Sequence, residues 1–485
     1  MPLNERGRGQ AIVIGGSMAG LLSARVLSEH FEKVIILERD RLPEGPEARK
    51  SAPQARHIHA LLEAGLKALD ELFPTLVREL VREGSDLIDM ARDAAWFQSG
   101  SWKVRYEGGP QTILVSRPFL EWKVRGQVTA LPNVELRQGY GVEELLMDAS
   151  RTRVTGVKVA GPEGEQTLEG ELVVDTSGRG SRAPQWLEAL GYGRPEEEQV
   201  GIELGYTSRF YERPAGFDEW KILAVSGRAP ESRRAGFIAN VEGGRWIVSL
   251  NGYFGDHAPT DDAGFLEFAR GLPTPHIHEY IRHAKPLTPA VSHKIPTSRW
   301  MHYETMARFP EGFVLLGDTV CSLNPVFGQG MTVISLGARL LGEHVARART
   351  SPGGLRQGLA RGFQKELGKI VGLCWFLTTT MDLAYPEARG KRPFGLKAVQ
   401  WSVQNMIDLT SLDAKSCHAF YEVLHMRKGM EGLLQPGFAA ALMAYNLKSL
   451  LVPREQRANL TTLPPPPGRS TPPAPPAAPR ERDAA

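Results

Sequence analysis

The sequence contains little cysteine, and the few cysteines are scattered. Only Cys321, Cys374 and Cys417 occur among 485 residues, and no two of them have the C-x-x-C spacing of a zinc or redox motif. This pattern excludes a disulfide framework and a zinc ribbon. It favours a cytoplasmic location, where thiols remain reduced.

An excess of charge of either sign is also missing. The 58 Lys and Arg residues are interspersed with 55 Asp and Glu residues, which leaves a formal net charge of +3. A nucleic-acid-binding protein of this size needs a concentrated basic surface, so no nucleic-acid partner is predicted.

Long hydrophobic runs are absent as well. The apolar run "AIVI" near the N-terminus is too short for the core of a signal peptide, and the run Val371–Leu377 is far below the ~18 residues that span a bilayer. No membrane span is predicted. Peripheral membrane contact is left open by the amphipathic segment 437–451, although the spacing of its apolar residues favours a role in covering the core.

The segment Ala11–Leu27, "AIVIGGSMAGLLSARVL", predicts a buried strand, a tight turn and a helix. A second apolar strand ends at Glu38, at the spacing where a carboxylate accepts hydrogen bonds from a ribose. Gly15 provides the tight turn and Gly20 the close approach of helix to strand. Ser17 replaces the second glycine of G-x-G-x-x-G, but its backbone amide remains available. The unit is predicted to bind a dinucleotide at the helix N-terminus, without distinguishing NAD from FAD.

Two later segments repeat the pattern of a buried strand followed by glycines. The first, "ELVVDTSGRGSRAPQWL" at 171–187, has a strand that ends at Asp175. The second, "EGFVLLGDTVCSLNPVFGQGMTVISLGARLL" at 311–341, has a strand that ends before Asp318 and a turn at Gly328–Gly330 that opens a helix. The amides of that helix N-terminus are free to bind a ligand.

Together these three segments resemble the signatures of the FAD-dependent monooxygenases of the aromatic-hydroxylase (p-hydroxybenzoate hydroxylase-like) superfamily. Further segments, "RKSAPQARHIHALL" and "VSRPFLEWKVR" among them, are similar to bacterial flavin epoxidases of polyether biosynthesis and to related tailoring monooxygenases. The similarity covers about residues 10–430. It departs from the superfamily pattern after Asp175, where Thr176 follows instead of glycine.

The resemblance implies an α/β fold with a Rossmann-like FAD-binding domain, an inserted antiparallel β-sheet substrate domain and a helical C-terminal region. Alternating apolar and polar residues and the hairpin signal "VEGGRW" support the inserted sheet. The aromatic residues expected to line a substrate cleft on this sheet are Trp96, Trp102, Tyr106, Tyr206 and Phe210. The predicted domains are 1–94, 117–190 and 301–350 (FAD-binding), 95–116 and 191–300 (antiparallel sheet), 351–455 (helical) and 456–485 (disordered, proline-rich tail).

The resemblance also implies the cofactor contacts. Glycines of the first turn and Glu38 are expected at the ADP half of FAD, Arg117 is also expected to face the cofactor, and Asp318 is expected at the ribityl and pyrophosphate region. Helix amides from Gly328 to Met331 are expected near the flavin pyrimidine. The complete predicted set is Gly15, Gly16, Ser17, Met18, Ala19, Gly20, Glu38, Arg39, Arg117, Asp318, Gly328, Gln329, Gly330 and Met331.

The segment "QARHIH" contains Arg56, His57 and His59, which are expected either beside the isoalloxazine ring or in a structural role. A metal site is not predicted, because the two histidines lack a third ligand at a suitable spacing. No catalytic acid or base is predicted.

The implied reaction is a monooxygenation. NAD(P)H reduces FAD, and the flavin C4a-hydroperoxide inserts one oxygen atom of O2 into a lipophilic polyketide, isoprenoid or aromatic intermediate by epoxidation or hydroxylation. No second G-x-G-x-x-G is found, so electrons arrive from transiently bound nicotinamide or from a separate flavin reductase. Three alternatives remain: a halogenase, for which the W-x-W-x-I-P segment is missing, a reductase or desaturase of an isoprenoid-type substrate, and a non-enzymatic flavin-binding protein.

Overall fold

The computed structural model describes residues 9–49 and 53–467. Within these ranges the strands are β1 (Gln10–Ile14), β2 (Lys33–Glu38), β3 (Asp86–Asp89), β4 (Ala94–Gln98), β5 (Ser101–Trp102), β6 (Gln111–Leu114), β7 (Val134–Gln138), β8 (Gly141–Met147), β9 (Val154–Gly161), β10 (Gly164–Glu169), β11 (Leu172–Asp175), β12 (Glu196–Glu212), β13 (Ile222–Ser226), β14 (Arg234–Val241), β15 (Arg245–Gly252), β16 (Val291–His302), β17 (Phe313–Leu315) and β18 (Cys321–Ser322). The helices are α1 (Met18–Leu27), α2 (Glu63–Leu72), α3 (Leu76–Arg82), α4 (Met90–Asp93), α5 (Arg117–Thr129), α6 (Ala183–Ala189), α7 (Asp262–Arg270), α8 (His276–Ile281), α9 (Gly330–Thr350), α10 (Leu359–Asp382), α11 (Leu396–Leu409), α12 (Ala414–Leu424) and α13 (Pro436–Ser449).

A five-stranded parallel sheet forms the nucleotide-binding core, with the strand order β17-β11-β1-β2-β7. Its central strands are apolar runs because other elements cover them, among them α1 and the three-stranded antiparallel sheet β10-β9-β8, and β11 is buried along its whole length. Helices α1 and α9 pack against each other beside this sheet. The predicted Rossmann-like domain is confirmed.

An eight-stranded sheet lies next to the core, in the order β18-β16-β12-β15-β14-β13-β4-β5. Its pairs are antiparallel except β13 with β4, which is parallel. The hairpin predicted from "VEGGRW" joins β14 to β15, and Gly243 and Gly244 have φ values of +75° and +66° that favour glycine. The inserted antiparallel sheet is confirmed, and β18 joins it from a segment assigned by sequence to the nucleotide-binding domain.

Helices α10 to α13 form the C-terminal region, as predicted. Helix α13 packs through Phe438 and Tyr445 but exposes apolar side chains on its other side and just beyond its end, including Leu447, Leu450 and Leu451. None of the helices in the described ranges combines the length and apolarity that crossing a bilayer requires.

The first part of the predicted tail, residues 456–467, contacts the folded protein: the Trp102 backbone N–H donates to the Asn459 carbonyl oxygen at 2.8 Å. The rest of that segment, 468–485, lies outside the described residues.

Candidate functional site

A groove of about 480 Å³ lies at the carboxyl edge of the parallel sheet. Its walls include Ile14 and Glu38 at the ends of β1 and β2, and Thr176 directly after β11. In open α/β sheets, ligands bind outside the carboxyl ends of the strands, so this is the expected position of a nucleotide.

The glycines of the first turn permit contacts that no side chain would allow. Gly15 has φ +102°, and a Cβ there would lie 2.8 Å from the Thr176 carbonyl oxygen. A Cβ on Gly20 would lie 1.8 Å from the Gly15 carbonyl oxygen. The backbone therefore closes around these positions only if both residues are glycine.

A network of buried ion pairs supports the floor of the groove. Arg49 contacts Glu38 Oε2 at 2.8 Å and Glu121 Oε1 at 3.2 Å, and Arg117 contacts Glu121 Oε2 at 2.8 Å. Ser17 Oγ accepts from Arg117 Nη2 and donates to Glu121 Oε2, both at 3.1 Å. The serine that replaces the second glycine is thus part of the network.

Arg49 and Glu121 were not identified from the sequence. The available signal was the spacing of Glu121 one helical turn after Arg117 on α5, which allows an i,i+4 ion pair. Arg49 comes from an irregular segment and gives no comparable signal.

The opposite wall is the segment that leads into α9. Asn324 caps the short 3-10 helix Pro325–Phe327 by accepting from the Val326 N–H at 3.0 Å, and Gly328 follows with φ +68°. A Cβ on Gly328 would lie 2.7 Å from the Ala60 Cβ. The N-terminus of α9, with its free amides and positive dipole end, lies beside the groove.

The predicted cofactor residues divide into those that line the groove and those beneath it. Met18 and Gln329 are buried, and the Gly16 N–H donates to Glu38 Oε2 at 2.9 Å. Lining the groove are Gly15, Ser17, Ala19, Glu38, Arg39, Arg117, Asp318, Gly328, Gly330 and Met331; not lining it are Gly16, Met18, Gly20 and Gln329.

Asp175 forms a turn. Its Oδ1 accepts from the backbone N–H and the hydroxyl of Ser177, at 2.8 and 2.6 Å, and its Oδ2 accepts from the Ser181 hydroxyl at 2.6 Å. The carboxylate is fully buried and both of its oxygens are engaged, so Asp175 shapes the segment that borders the groove.

A second cavity, of about 200 Å³, lies between the antiparallel sheet and the helices α10 and α12. Apolar side chains of the sheet, such as Trp96, Ile222 and Phe237, form one wall. The cavity and the groove share Ile58, His59, Ala60, Tyr206, Pro325 and Gly328. The two spaces are therefore adjacent and have a common wall.

The expected aromatic lining is only partly present. Trp96 and Tyr206 line the cavity. Trp102 instead packs within the core beyond the sheet, Tyr106 against His418, and Phe210 against Arg245. The prediction was wrong for these three for different reasons. Trp102 lies on the other face of the sheet, Tyr106 lies in the loop after β5, and Phe210 shares the face of Tyr206 but lies farther along β12.

The segment "QARHIH" places His59 on the shared wall and His57 in the cavity. His57 lines the cavity: its Nδ1 lies 2.7 Å from Ser208 Oγ, and its ring meets Tyr206 edge-on at 4.1 Å. Burial and the nearby His293 lower the pKa of His57 to about 3, so its ring is neutral at physiological pH. His59 lines both spaces, whereas Arg56 is exposed and lines neither.

Two buried polar residues of the cavity were not identified from the sequence. Asp382, at the end of α10, and His425, directly after α12, are each 1% exposed. Asn324 Nδ2 donates to Asp382 Oδ1 at 2.8 Å and to the Tyr253 hydroxyl at 3.1 Å, so Asn324 connects the groove wall to the cavity. No motif marks either residue.

No cluster of three or more His, Cys, Asp or Glu side chains with metal-binding geometry occurs in residues 9–49 and 53–467. The three cysteines are free thiols in buried positions.

Similarity to known structures defines the class of protein. PqsL, a probable FAD-dependent monooxygenase from Pseudomonas aeruginosa, superimposes with a TM-score of 0.59 and 16% identity over 78% of this chain and 98% of PqsL. The flavin-dependent brominase Bmp2 superimposes with a TM-score of 0.62 and 12% identity over 91% of this chain and all of Bmp2 (100%). The fold is therefore that of the FAD-dependent monooxygenases and their halogenating relatives.

Sequence similarity defines the narrower group. The chain is 33% identical over 391 residues to protein Rv3254 of Mycobacterium tuberculosis (strain ATCC 25618 / H37Rv). The aligned region covers 78% of this chain and 81% of Rv3254. The chain belongs to the same family as Rv3254. No protein-family model matches it.

Proposed function

We propose that the protein is an FAD-dependent monooxygenase that inserts one oxygen atom of O2 into a lipophilic substrate by epoxidation or hydroxylation. One observation carries this proposal: a groove suited to a dinucleotide shares a wall with a buried, mainly apolar cavity. This arrangement brings a cofactor bound in the groove next to a substrate bound in the cavity.

The groove residues fit FAD. The amides of the Gly15–Gly20 turn would hold a pyrophosphate, Glu38 and Arg39 would border the ADP half, and the N-terminus of α9 would face the flavin half. Bound FAD supplies the redox chemistry: two electrons from NAD(P)H reach O2, one oxygen atom enters the substrate and the other leaves as water.

The residues of this chain bind and orient the substrate and exclude water from it. The apolar side chains of the cavity exclude water from the reacting centre, and neutral His57 packs in the cavity against Tyr206 of the shared wall without introducing charge. Strands and helix ends position these groups, which favours a fixed distance between the substrate and the cofactor.

The electron source is NAD(P)H, used directly or through a separate flavin reductase. The absence of a second G-x-G-x-x-G motif from the sequence supports transient nicotinamide binding or such a partner. The reduced state of three buried thiols supports a cytoplasmic location.

A halogenase is the second candidate, because the brominase Bmp2 has the same fold over 91% of this chain. The missing W-x-W-x-I-P segment favours the monooxygenase.

The test begins with purified protein that carries flavin, reduced without oxygen and then mixed rapidly with oxygenated buffer. A monooxygenase should give a transient spectrum, different from both the reduced and the oxidised flavin, whose lifetime is unaffected by bromide or chloride. Decay that accelerates with halide supports the halogenase. Direct return to the oxidised spectrum, with candidate lipophilic substrates present too, would contradict both candidates and favour a reductase or a non-catalytic flavoprotein.

A further inference from the structure

Three side chains that line the apolar cavity have a buried polar atom without a partner within the described part of the protein. Asp382 and His425 are almost completely buried, whereas the third, Gln98, is only half-buried. Asp382 Oδ2 and His425 Nε2 have no hydrogen-bond partner, and both residues line the cavity. Buried polar atoms are almost always paired, so two such atoms in one cavity indicate a ligand that completes them.

The first group is a hydrogen-bond donor. Burial raises the pKa of Asp382 to about 8, so its carboxyl group is protonated at neutral pH. Its Oδ1 accepts from Asn324 Nδ2 at 2.8 Å and therefore acts as the carbonyl oxygen. The proton resides on Oδ2, the oxygen that has no partner.

The second group is also a donor. The backbone N–H of Glu63 donates to His425 Nδ1 at 3.2 Å, which requires an unprotonated Nδ1 and places the ring proton on Nε2. Burial, with a smaller effect of Arg427, lowers the pKa of His425 to about 3 and keeps the ring neutral.

Two neutral donors select the chemistry of what they bind. A pure hydrocarbon would leave both donors unpaired in an apolar cavity, which is unfavourable. A hydroxyl would add a donor that has to reach a further acceptor, such as Gln98 Oε1 on β4. A carboxylate would bring a full charge into a cavity whose lining arginine, Arg234, is already paired with Asp256 at 2.8 Å. A carbonyl oxygen accepts hydrogen bonds through two lone pairs and donates none.

We propose that Asp382 and His425 are substrate-binding residues that donate hydrogen bonds to a carbonyl group of an otherwise apolar substrate. This inference rests on the proposed function, since it assigns the cavity to the substrate. It narrows the substrate class from lipophilic compounds in general to apolar compounds that carry a ketone, ester or amide carbonyl.

The test compares two ligands of nearly equal shape, 2-acetylnaphthalene and 2-ethylnaphthalene, which differ by a carbonyl in place of a methylene. Their affinities for the purified protein are measured by isothermal titration calorimetry with oxidised flavin and no reductant. The ketone should bind about 10-fold or more tightly than the hydrocarbon, because only the ketone pairs the buried donors. Equal affinities in the wild-type protein would overturn the proposal.

Variants test whether Asp382 and His425 cause the preference for the ketone over the hydrocarbon. Asp382→Leu and His425→Phe should each reduce the ratio of the two affinities several-fold, whereas Asp382→Asn and His425→Gln retain a donor and should restore much of it. Met381→Leu and Leu424→Met alter apolar neighbours that line the same cavity. They should change both affinities in parallel and leave the ratio unaltered. A ratio that persists in both donor-deleting variants would also contradict the proposal.

The binding experiment separates this inference from the proposed function. If the protein binds the ketone more tightly than the hydrocarbon but shows no transient flavin spectrum with oxygen, the carbonyl site is supported and the monooxygenase is rejected. If the transient flavin spectrum is seen but the two ligands bind equally well, only the carbonyl site is rejected.

Discussion

The groove and the cavity have a common wall but differ in the charge of their buried polar groups. In the groove, Arg49 and Arg117 both form ion pairs with Glu121, although Arg49 Nε has no partner within the described residues. In the cavity, Asp382 and His425 are neutral, and each leaves one buried polar atom unpaired. The groove thus contains charges that already compensate one another, whereas the cavity contains neutral donors that a ligand would pair.

This difference indicates that the groove and the cavity select their ligands by different means. The shape of the groove depends on the backbone, which closes in this way only with glycine at positions 15 and 20. The cavity depends on a few side chains on separate elements, so its chemistry is set residue by residue. Substitutions in the two regions should therefore have different effects on flavin content and stability.

The largest effect is expected from Gly20→Ala. The added Cβ would lie 1.8 Å from the Gly15 carbonyl oxygen, so the turn cannot close and flavin should be lost from the purified protein. The flavin absorbance per protein measures this outcome. The control is Gly126→Ala on α5, where a Cβ meets nothing within 4 Å and the helix gains about 0.5–1 kcal/mol. Full flavin content in Gly20→Ala would contradict this account of the turn.

Glu121→Gln should have the next largest effect, because it leaves two buried guanidinium groups without their shared carboxylate. We expect a loss of about 3 kcal/mol in the free energy of unfolding of the flavin-free protein, measured by urea denaturation. Added FAD should recover part of this loss, since its pyrophosphate brings negative charge to the groove. The control is Glu135→Gln, whose exposed ion pairs with Lys33 and Arg137 predict a change within about 1 kcal/mol.

The pH dependence of stability tests the state of Asp382. Its carboxyl pKa is about 8 in the folded protein and about 3.8 when unfolded, so its contribution is fully present below pH 3.8 and declines as the pH rises towards 8. The facing Tyr253 and Tyr385 have pKa values raised by burial and remain neutral throughout. Asp382→Asn should therefore gain stability relative to wild type between pH 4 and pH 8, measured by thermal unfolding. A constant difference would show that Asp382 is ionised when folded.

The smallest effect is expected from Ser17→Gly. This change restores the usual glycine and removes one hydroxyl from a network in which Arg117 and Glu121 still pair directly. Flavin content should stay about unchanged, because the turn depends on Gly15 and Gly20 rather than on this side chain. Release of flavin would show that Ser17 supports the groove.

The comparison also explains what could be predicted from the sequence. The parallel sheet, the inserted sheet and its hairpin were predictable because buried strands, alternation and left-handed glycines leave local patterns. The glycine turn was predictable for the same reason. Arg49 was not, since its partners Glu38 and Glu121 are 11 and 72 residues away in the chain.

The polar groups of the cavity could not be identified from local sequence patterns. Asp382 becomes significant only because Asn324 approaches it from another element, and His425 only because the Glu63 backbone fixes its tautomer. The misassigned aromatic residues show the same limit: Trp102 lies on the face of the sheet away from the cavity, and Phe210 shares the face of Tyr206 but does not line the cavity.

The segment from Pro325 to Gly328 belongs to both spaces, and this has an evolutionary consequence. With FAD in the groove and the substrate in the cavity, as proposed, a substitution there would change the binding of both, so selection for a new substrate would have little freedom at these positions. Residues on β13, β14 and the end of α12 line only the cavity. Divergence in substrate preference within the family should accumulate on that far side, while the shared segment changes slowly.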